Sequence, residues 1–207
     1  MSRDLLDEVS DYYGARLAEH GATPRGVDWN GAESQNVRFE QLTRVIAPGA
    51  YSLNDVGCGY GALAEFLAAR GGEFRYTGCD VSEPMVLAAR ERLAGRPGIQ
   101  FVVGSTPPEA ADYGIASGIF NVKLSRPDDE WKAYIEATLD ELDRTSRRGF
   151  AFNCLTAYSD RDRMQPHLHY ADPLALFDRC KRRYARNVAL LHDYGLYEFT
   201  LLVRKEP

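Results

Sequence analysis

Three closely spaced glycines follow a short apolar stretch near the first quarter of the chain, within the run YSLNDVGCGYGAL at 51–63. Gly57, Gly59 and Gly61 carry no side chain, which suits a backbone that turns sharply and lies directly against a ligand. The apolar spacing after the glycines predicts a helix over 62–70. A strand, a glycine-rich turn and a helix in this order predict a ligand site.

Two acidic residues indicate which ligand this is. The spacing Gly57-x-Gly59-x-x-Ala62 also fits a nicotinamide-dinucleotide site. Asp55, two positions before the first glycine, would repel a pyrophosphate but accepts hydrogen bonds from a cationic amino-acid ligand. That favours S-adenosylmethionine, which carries an ammonium and a sulfonium and no phosphate. A second apolar stretch ends in Asp80, about 20 residues past the glycines, where a carboxylate can bind ribose hydroxyls.

Two motifs together carry a family resemblance. The run DVGCGYG at 55–61, followed by GCDVS at 78–82, resembles motif I and the next acidic motif of class I S-adenosylmethionine-dependent methyltransferases. The later elements come in a similar order, so the resemblance covers residues 45–205. It implies an α/β fold with a doubly wound, Rossmann-like sheet of seven strands, the last one antiparallel, and helices on both faces. It also implies methyl transfer, without identifying the acceptor.

The resemblance assigns contacts to the cofactor, S-adenosylmethionine. In this family an aspartate often follows the third strand and binds the adenine amino group, whereas here Ser105 stands there, so a hydroxyl or the backbone would do so. Met85 either touches the adenine edge or packs in the core. The expected cofactor residues within the main domain are Asp55, Gly57, Cys58, Gly59, Gly61, Asp80, Val81, Met85, Gly104, Ser105 and Phe120.

The first 44 residues are expected to form a helical extension to a cofactor-binding domain at 45–207. Apolar spacing predicts a helix over 4–20, and a loop rich in glycine and proline precedes a second helix. By resemblance to small-molecule methyltransferases, these helices form a lid over the cofactor that includes Tyr13, Trp29, Gln35 and Arg38. Arg38 or Tyr13 would hold the methionine carboxylate. Alternatively, the two aromatic residues anchor the extension by burial and Arg38 is a surface charge.

The acceptor is expected at the ends of the fourth and fifth strands, where the doubly wound arrangement places the methyl group. Phe120 lies there and would stack near adenine or shield the sulfonium. Asn121 and Asn153 offer neutral donors and acceptors to a substrate. Trp29 is also expected to contact the substrate. The loop 157–171 should cover this edge, with Tyr158 and Tyr170 as further acceptor residues.

That loop also contains His167 and His169, the candidate catalytic residues. Either imidazole has a pKa suited to taking a proton from a hydroxyl or an amine during methylation. The alternative is that both histidines are solvent-exposed loop residues. No metal site is expected, because no further histidine or carboxylate stands at a recognisable ligand spacing.

Composition restricts the partners of this chain. Its 207 residues suit one compact domain, its four cysteines are far apart, and its formal net charge of −5 argues against retention on nucleic acid by the overall field. The basic run 181–186 is the local exception, and a solvated helix face is the simpler interpretation of it. No apolar run is long enough to span a membrane. We expect a cytoplasmic enzyme that methylates an oxygen or nitrogen of a small or medium-sized metabolite, with no nucleic-acid or membrane partner. The sequence does not fix its oligomeric state.

The end of the chain distinguishes between fold families. Apolar stretches at 187–194 and 197–204 are predicted to be two strands joined by a connection of two or three residues, which forces antiparallel pairing. This terminal hairpin is typical of the methyltransferase topology and not of a dinucleotide-binding fold.

The alternative function is a non-catalytic domain that binds S-adenosylmethionine and regulates a partner. A nicotinamide oxidoreductase would need a tyrosine followed four residues later by lysine, and no such pair occurs in the sequence.

Overall fold

A computed structural model describes residues 3–205 of the chain. The predicted division into 1–44 and 45–207 stays a prediction, and its outermost residues, 1–2 and 206–207, lie outside the described part. One sheet of seven strands dominates the described residues, in the spatial order β3-β2-β1-β4-β5-β7-β6. The strands are β1 Tyr51–Val56, β2 Phe74–Asp80, β3 Ile99–Val103, β4 Ala111–Ala116, β5 Ser146–Leu155, β6 Asn187–Leu191 and β7 Glu198–Arg204.

The pairing of these strands confirms the predicted topology. β1 to β5 are parallel to one another, whereas β7 is antiparallel to both β5 and β6. The predicted short connection before β7 is wrong: β6 ends at Leu191, and residues 192–197 separate the two strands. Tyr194 in this longer connection forms a hydrogen bond with Thr200 of β7, at 3.1 Å between the two hydroxyl oxygens.

Helices connect most of the strands and cover the sheet. They are α1 Arg3–His20, α2 Ala32–Thr43, α3 Ala62–Arg70, α4 Glu83–Arg92, α5 Asp128–Thr145 and α6 Pro173–Arg183, with short 3-10 helices at Pro24–Val27 and Arg161–Arg163. Asp172 caps the start of α6, since its side chain accepts hydrogen bonds from the backbone N–H groups of Leu174 and Ala175.

Two apolar clusters lie on opposite faces of the sheet because β-strand side chains alternate between the faces. Leu5 of α1 belongs to the cluster of α5, which includes Trp131. Phe39 and Leu42 of α2 belong to the other cluster, with Leu63 of α3. The first two helices therefore pack on different faces, and the chain between them, residues 21–31, must cross the carboxyl ends of the parallel strands.

The connection from β3 to β4, residues 104–110, contains no helix. The sheet face that such a helix would cover carries polar side chains instead, such as Ser52, Thr77 and Gln100, and Gln100 donates a hydrogen bond to Thr77. Asn54 fixes the connection, because its amide nitrogen lies 2.8 Å from the Glu109 carbonyl oxygen. These polar side chains tolerate water, so this part of the sheet does not require a covering helix.

A substitution at Gly149 tests how closely β5 and β7 approach each other. A Cβ atom at Gly149 would lie 2.4 Å from the carbonyl oxygen of Val203, a backbone atom that cannot move away cheaply. We predict that Gly149→Ala lowers the free energy of unfolding by about 2 to 3 kcal/mol, as overpacking does. Denaturant unfolding measures this. Gly14→Ala is the control, since a Cβ there would be 3.9 Å from the Ser82 hydroxyl and alanine favours the helix. Equal stability of the two variants would contradict the β5–β7 geometry.

Candidate active site

A cavity of about 500 Å³ lies at the carboxyl ends of the parallel strands. The ends of β1, β2 and β3 form one side of it. The other side is formed by residues after β4 and β5, by the start of β7 and by the loop at 167–168. Residues of α1 and the crossing segment 27–30 close it from above. Its lining comprises Leu6, Val9, Tyr12, Tyr13, Arg16, Val27, Asp28, Trp29, Asn30, Arg38, Val56, Gly57, Gly59, Asp80, Val81, Met85, Gly104, Ser105, Ser117, Gly118, Ile119, Asn121, Val122, Tyr134, Thr138, Leu155, His167, Leu168 and Glu198.

The glycine turn after β1 requires glycine for two separate reasons. Gly57 and Gly59 have φ angles of +75° and +52°, a region that residues with a Cβ rarely occupy. At Gly57 there is also no space, because a Cβ atom would lie 2.1 Å from Cγ2 of Ile119. The turn is thus a bare backbone surface against which Ile119 packs and a ligand can lie.

Asp80 holds this turn in place from the neighbouring strand. Its Oδ2 accepts the backbone N–H of Gly59 at 2.8 Å, and its Oδ1 accepts the N–H of Ser82, before α4, at 2.9 Å. Burial raises the pKa of Asp80, while these two N–H groups act in the opposite direction. Each carboxylate oxygen retains a further lone pair toward the cavity, which is where ribose hydroxyls were predicted to bind.

Asp55 lies beneath the glycine turn and is almost completely buried. Its Oδ2 accepts a short hydrogen bond, 2.5 Å, from the Tyr76 hydroxyl, whereas its Oδ1 has no partner among the described residues. Burial raises the pKa of Asp55 to about 7. The Ser117 hydroxyl is also buried without a partner, and both residues line a second cavity of about 40 Å³ behind the turn.

A buried ion pair joins the two ends of the chain at the cavity wall. Glu198, the first residue of β7, receives hydrogen bonds from Nε and Nη2 of Arg38 at 2.8 and 2.7 Å. Asn153 of β5 donates to the same carboxylate at 2.5 Å and accepts the Gly118 N–H at 2.9 Å. The Trp29 ring stacks on Arg38, with 3.9 Å between the guanidinium carbon and the ring centroid. This network fixes the crossing segment against the turn after β4.

A second polar cluster closes the segment onto α1. Asp28 accepts hydrogen bonds from the Tyr12 hydroxyl at 2.7 Å and from Nε of Arg16 at 2.6 Å. Burial and the adjacent Asp28 raise the pKa of Tyr12 to about 12, so the hydroxyl keeps its proton and remains a donor. Asp28 has a φ angle of +60°, which is uncommon for a residue with a side chain, and the two bonds hold it there.

The loop 157–171 is held to the residues after β4 by its backbone. The carbonyl oxygen of His167 accepts N–H groups from Lys123 and Leu124, both at 3.0 Å, and the His169 N–H donates to Asn121 at 2.8 Å. His167 lines the cavity at its rim, whereas His169 does not line it. Burial lowers the pKa of His169, and the nearby Asp128 acts in the opposite direction.

The comparisons with known proteins agree with this geometry. A family model described as "Methyltransferase domain" matches residues 54–149. A Mycobacterium tuberculosis (strain ATCC 25618 / H37Rv) protein that is named as a methyltransferase, Rv1506c, is 60% identical over 161 residues, which are 78% of this chain and 97% of that protein. The chain belongs to the class I methyltransferases. A trans-aconitate 2-methyltransferase of Acidovorax sp. (strain JS42) is 35% identical over 91 residues, 41% of this chain and 35% of that enzyme.

Solved structures similar to the methyltransferase contain its cofactor. A complex of DhpI with S-adenosylhomocysteine has a TM-score of 0.66 at 18% identity and covers 100% of both chains. Magnesium protoporphyrin IX methyltransferase from Synechocystis PCC 6803 with bound S-adenosylmethionine has a TM-score of 0.65 at 17% identity and covers 99% of both chains. At this identity the likeness concerns the fold. Together with the family, it gives S-adenosylmethionine as the cofactor of the methyltransferase.

The residues present fit that cofactor on the evidence of the cavity itself. The glycine turn exposes backbone at the cavity, and Asp80 faces it beside Val81. The unpartnered oxygens of Asp55 and Ser117 lie buried behind the turn, where polar atoms need a partner. A ligand with an ammonium group and hydroxyls would supply hydrogen-bond donors at this end of the cavity.

Twelve of the 21 residues predicted from the sequence, counting the lid residue Gln35, lie together around the cavity. Those that line it are Tyr13, Trp29, Arg38, Gly57, Gly59, Asp80, Val81, Met85, Gly104, Ser105, Asn121 and His167. Asp55 and Cys58, together with the lid residue Gln35, line the smaller cavity behind the glycine turn. Gly61, with a φ of +82°, lies against Leu93 and Phe101 and serves the packing of α3.

The remaining predicted residues line neither cavity. Phe120 is completely buried, and its ring packs against Phe152 and Tyr134. Asn153 is equally buried and acts through Gly118 and Glu198. The Tyr158 side chain is 66% exposed and contacts His192 outside the cavity. The Tyr170 hydroxyl accepts the Gln165 N–H within the loop.

Glu198 is the main residue that the sequence interpretation missed, together with Asp28, Ile119 and Tyr134. A signal for Glu198 existed, because a lone acidic residue opens the otherwise apolar run EFTLLV at 198–203. In an antiparallel last strand the first residue lies at the carboxyl edge of the parallel strands. The predicted topology therefore placed Glu198 at the active-site edge of the sheet. Its partner Arg38 is 160 positions away in the sequence, so the pair itself had no local signal.

Asp80 gives a direct test of the cofactor side. We predict that Asp80→Ala weakens S-adenosylhomocysteine binding by about 1.5 to 3 kcal/mol, the range for a hydrogen bond to a charged group. Isothermal titration calorimetry measures this. Asp112→Ala is the matched control, since Asp112 also accepts a backbone N–H, from Ser52 at 2.8 Å, but lies at the opposite edge of the sheet. Unchanged affinity in Asp80→Ala would remove Asp80 from the cofactor site.

Asp55 gives a pH-dependent test of burial. Its pKa of about 7 in the folded chain exceeds the ordinary value of 3.8. The folded protein therefore retains a proton that the unfolded chain releases, and the free energy of unfolding falls as pH rises from about 4 to 7, by at most about 1.4 kcal/mol per pH unit. We predict that Asp55→Asn, which cannot titrate, removes this slope in unfolding measurements between pH 5 and 7.

Asp112→Asn is the control for this pH series. The hydroxyl and backbone N–H of Ser52 lower the pKa of Asp112, so its stabilising effect is lost only as pH falls below about 4. The Asp112 variant should keep the wild-type slope between pH 5 and 7. Parallel curves for the wild type and Asp55→Asn in that range would show that Asp55 is ionised throughout and contradict the effect of burial.

Proposed function

We propose that the methyltransferase transfers the methyl group of S-adenosylmethionine to a small molecule held at the ends of β4 and β5, through an oxygen or nitrogen of that molecule. The observation that carries the proposal is a single cavity with the cofactor motifs on one side and the histidine loop on the other. Methyl transfer requires little beyond in-line positioning, because the sulfonium already activates the methyl group. A cavity that holds the cofactor on one side and the acceptor on the other supplies that positioning.

On the cofactor side, each residue has a proposed role. Asp80 accepts ribose hydroxyls while it holds Gly59, and Val81, Met85, Gly104 and Ser105 border the adenine. The methionine carboxylate faces Tyr13, and Arg38 is the weaker candidate because Glu198 neutralises its charge and the Ser34 carbonyl binds a third nitrogen. Burial raises the pKa of Tyr13, so its hydroxyl stays protonated and can donate to a carboxylate.

On the acceptor side, we assign the proton transfer to His167. Its backbone carbonyl is held by two N–H groups, which fixes the loop at the cavity rim while the imidazole remains accessible to solvent. A base in that position accepts the proton of a hydroxyl or amine and passes it to water. His169 is the weaker assignment, because it lies outside the cavity lining and burial disfavours its charged form.

Two surface features support a small acceptor over a macromolecule. Two of the four cations of the run 181–186 form local ion pairs: Arg182 pairs with Asp178, and Arg183 pairs with Asp140. A phosphate backbone would have to displace these partners. No helix among the described residues is long and apolar enough to cross a bilayer. We therefore keep the proposal of a cytoplasmic enzyme without a nucleic-acid or membrane partner.

His167 gives the test of this proposal. We predict that His167→Ala lowers the rate of S-adenosylhomocysteine formation with a hydroxyl or amine acceptor by about 100-fold, the lower end of general-base effects. Its affinity for S-adenosylmethionine should not change. A screen of metabolite acceptors with the wild type supplies the acceptor for this assay. His169→Ala is the matched control and should retain most of the activity. A large loss of cofactor affinity in His167→Ala would make His167 a cofactor or structural residue and contradict its assignment as a base.

A further inference from the structure

The charges on the cavity wall restrict the acceptor. Among residues 3–205, two cationic side chains of the arginine and lysine type line the cavity, Arg16 and Arg38, and three acidic ones do, Asp28, Asp80 and Glu198. A carboxylate or phosphate on the acceptor would need an available cation, because an unpaired anion removed from water is strongly disfavoured. Whether either arginine is available therefore decides which acceptors can bind.

Arg38 is already neutralised by Glu198. Two of its nitrogens bind both oxygens of that carboxylate, and Nη1 donates to the Ser34 carbonyl oxygen at 2.8 Å. Both side chains are nearly inaccessible, at 8% and 1% exposure. The Trp29 ring covers the guanidinium face. An acceptor carboxylate near Arg38 would meet the charge of Glu198 at almost the same distance, so the pair offers no net attraction.

Arg16 also pairs with acidic side chains, although its side chain is more exposed than that of Arg38, at 29%. Its Nε lies 2.6 Å from Oδ1 of Asp28, and Glu19 lies 3.5 Å from its Nη1. Asp28 is also bound by the Tyr12 hydroxyl, which keeps it beside Arg16. The nearest charges around both cavity arginines are thus acidic.

The rest of the acceptor side is apolar or uncharged. Ile119, Val122, Leu155 and Leu168 supply its apolar surface. Its polar atoms belong to neutral groups, among them the side-chain amide of Asn121, whose oxygen accepts the Leu155 N–H at 2.9 Å and whose nitrogen can donate to a ligand. Such a surface binds a molecule with hydroxyl or carbonyl groups on an apolar body.

We propose that the methyl acceptor is an uncharged molecule and that Glu198 determines this specificity by neutralising Arg38. This inference rests on the proposed function, because it concerns the acceptor of that reaction. It separates the chain from the trans-aconitate methyltransferases, whose named substrate is a carboxylate. Those relatives align with this chain over 91 residues or similarly short segments, so they do not predict its acceptor.

Matched acid and ester probes test the inference on the full chain saturated with S-adenosylhomocysteine. One pair is trans-aconitate and its trimethyl ester, and the other is 4-hydroxyphenylacetate and its methyl ester. We expect calorimetric titration to give the ester of at least one pair an affinity about tenfold or more above that of its acid, the size of one charge-assisted hydrogen bond. Tighter binding of the acids, equal binding within both pairs, or no binding of either ester would overturn the inference.

Two substitutions of opposite effect test the role of Glu198. Glu198→Gln leaves Arg38 with an uncompensated charge and should improve the relative affinity of the acids about tenfold. Arg38→Gln leaves Glu198 as the uncompensated charge and should weaken the acids further, so the test remains if one variant does not fold. Glu136→Gln is the matched control, because Glu136 pairs with Arg179 outside the cavity, and it should keep the wild-type ratio.

The binding of S-adenosylhomocysteine separates this inference from the proposed function. No binding of S-adenosylhomocysteine by the wild type would count against the proposed function. Normal binding together with a preference for acids would count against the uncharged acceptor alone. If Glu198→Gln raises the affinity for S-adenosylhomocysteine and leaves the ratio of acid to ester unchanged, Arg38 serves the methionine carboxylate and the role given to Glu198 is overturned.

Discussion

The geometry of the site depends on the hydrogen bonds that the Asp80 carboxylate accepts. Asp80 holds the glycine turn after β1 through Gly59 and the start of α4 through Ser82. Gly59 adopts a left-handed conformation that many residues would not tolerate, and a bond from the neighbouring strand keeps it there. The same side chain faces the cavity. The conformation of the turn and the cavity surface are therefore linked through one buried acid, whose pKa is raised by burial.

The second constraint is the closure of the cavity by parts of the chain that are distant in sequence. α1 and α2 pack on opposite faces of the sheet, so the segment between them must cross the active-site edge. Glu198 and Arg38 then join that segment to the last strand. A buried ion pair is weak evidence for stability, since two charges lose their hydration. Here both oxygens of Glu198 are satisfied by hydrogen bonds, and the pair holds Trp29 against the turn after β4. We interpret this ion pair as fixing the position of the crossing segment and as determining the charge of the acceptor that can bind.

Sequence patterns predicted the fold well because its signals are local. The glycine turn and Asp80 lie within a few residues of the structure they specify, and the antiparallel end followed from two adjacent apolar runs. The connection before β7 was predicted too short, because the predicted strand was extended through residues 192–194, which include His192 and Asp193, whereas β6 ends at Leu191. Side-chain direction is not encoded in such local patterns: Phe120 follows β4 as expected, and only the structure shows that its ring belongs to the buried core. Glu198 was missed because its partners, Arg38 and Asn153, come from distant parts of the sequence and only the folded chain brings them together.

The central claim is that the cavity binds S-adenosylmethionine, and calorimetric titration of the wild-type chain tests it most directly. S-adenosylmethionine, S-adenosylhomocysteine and NADH should be titrated in parallel under the same conditions. The account predicts binding of the first two with one site per chain and no binding of NADH, because Asp55 and the antiparallel end of the sheet distinguish this site from a dinucleotide site. Binding of NADH alone would contradict the account, and so would the absence of binding by all three ligands.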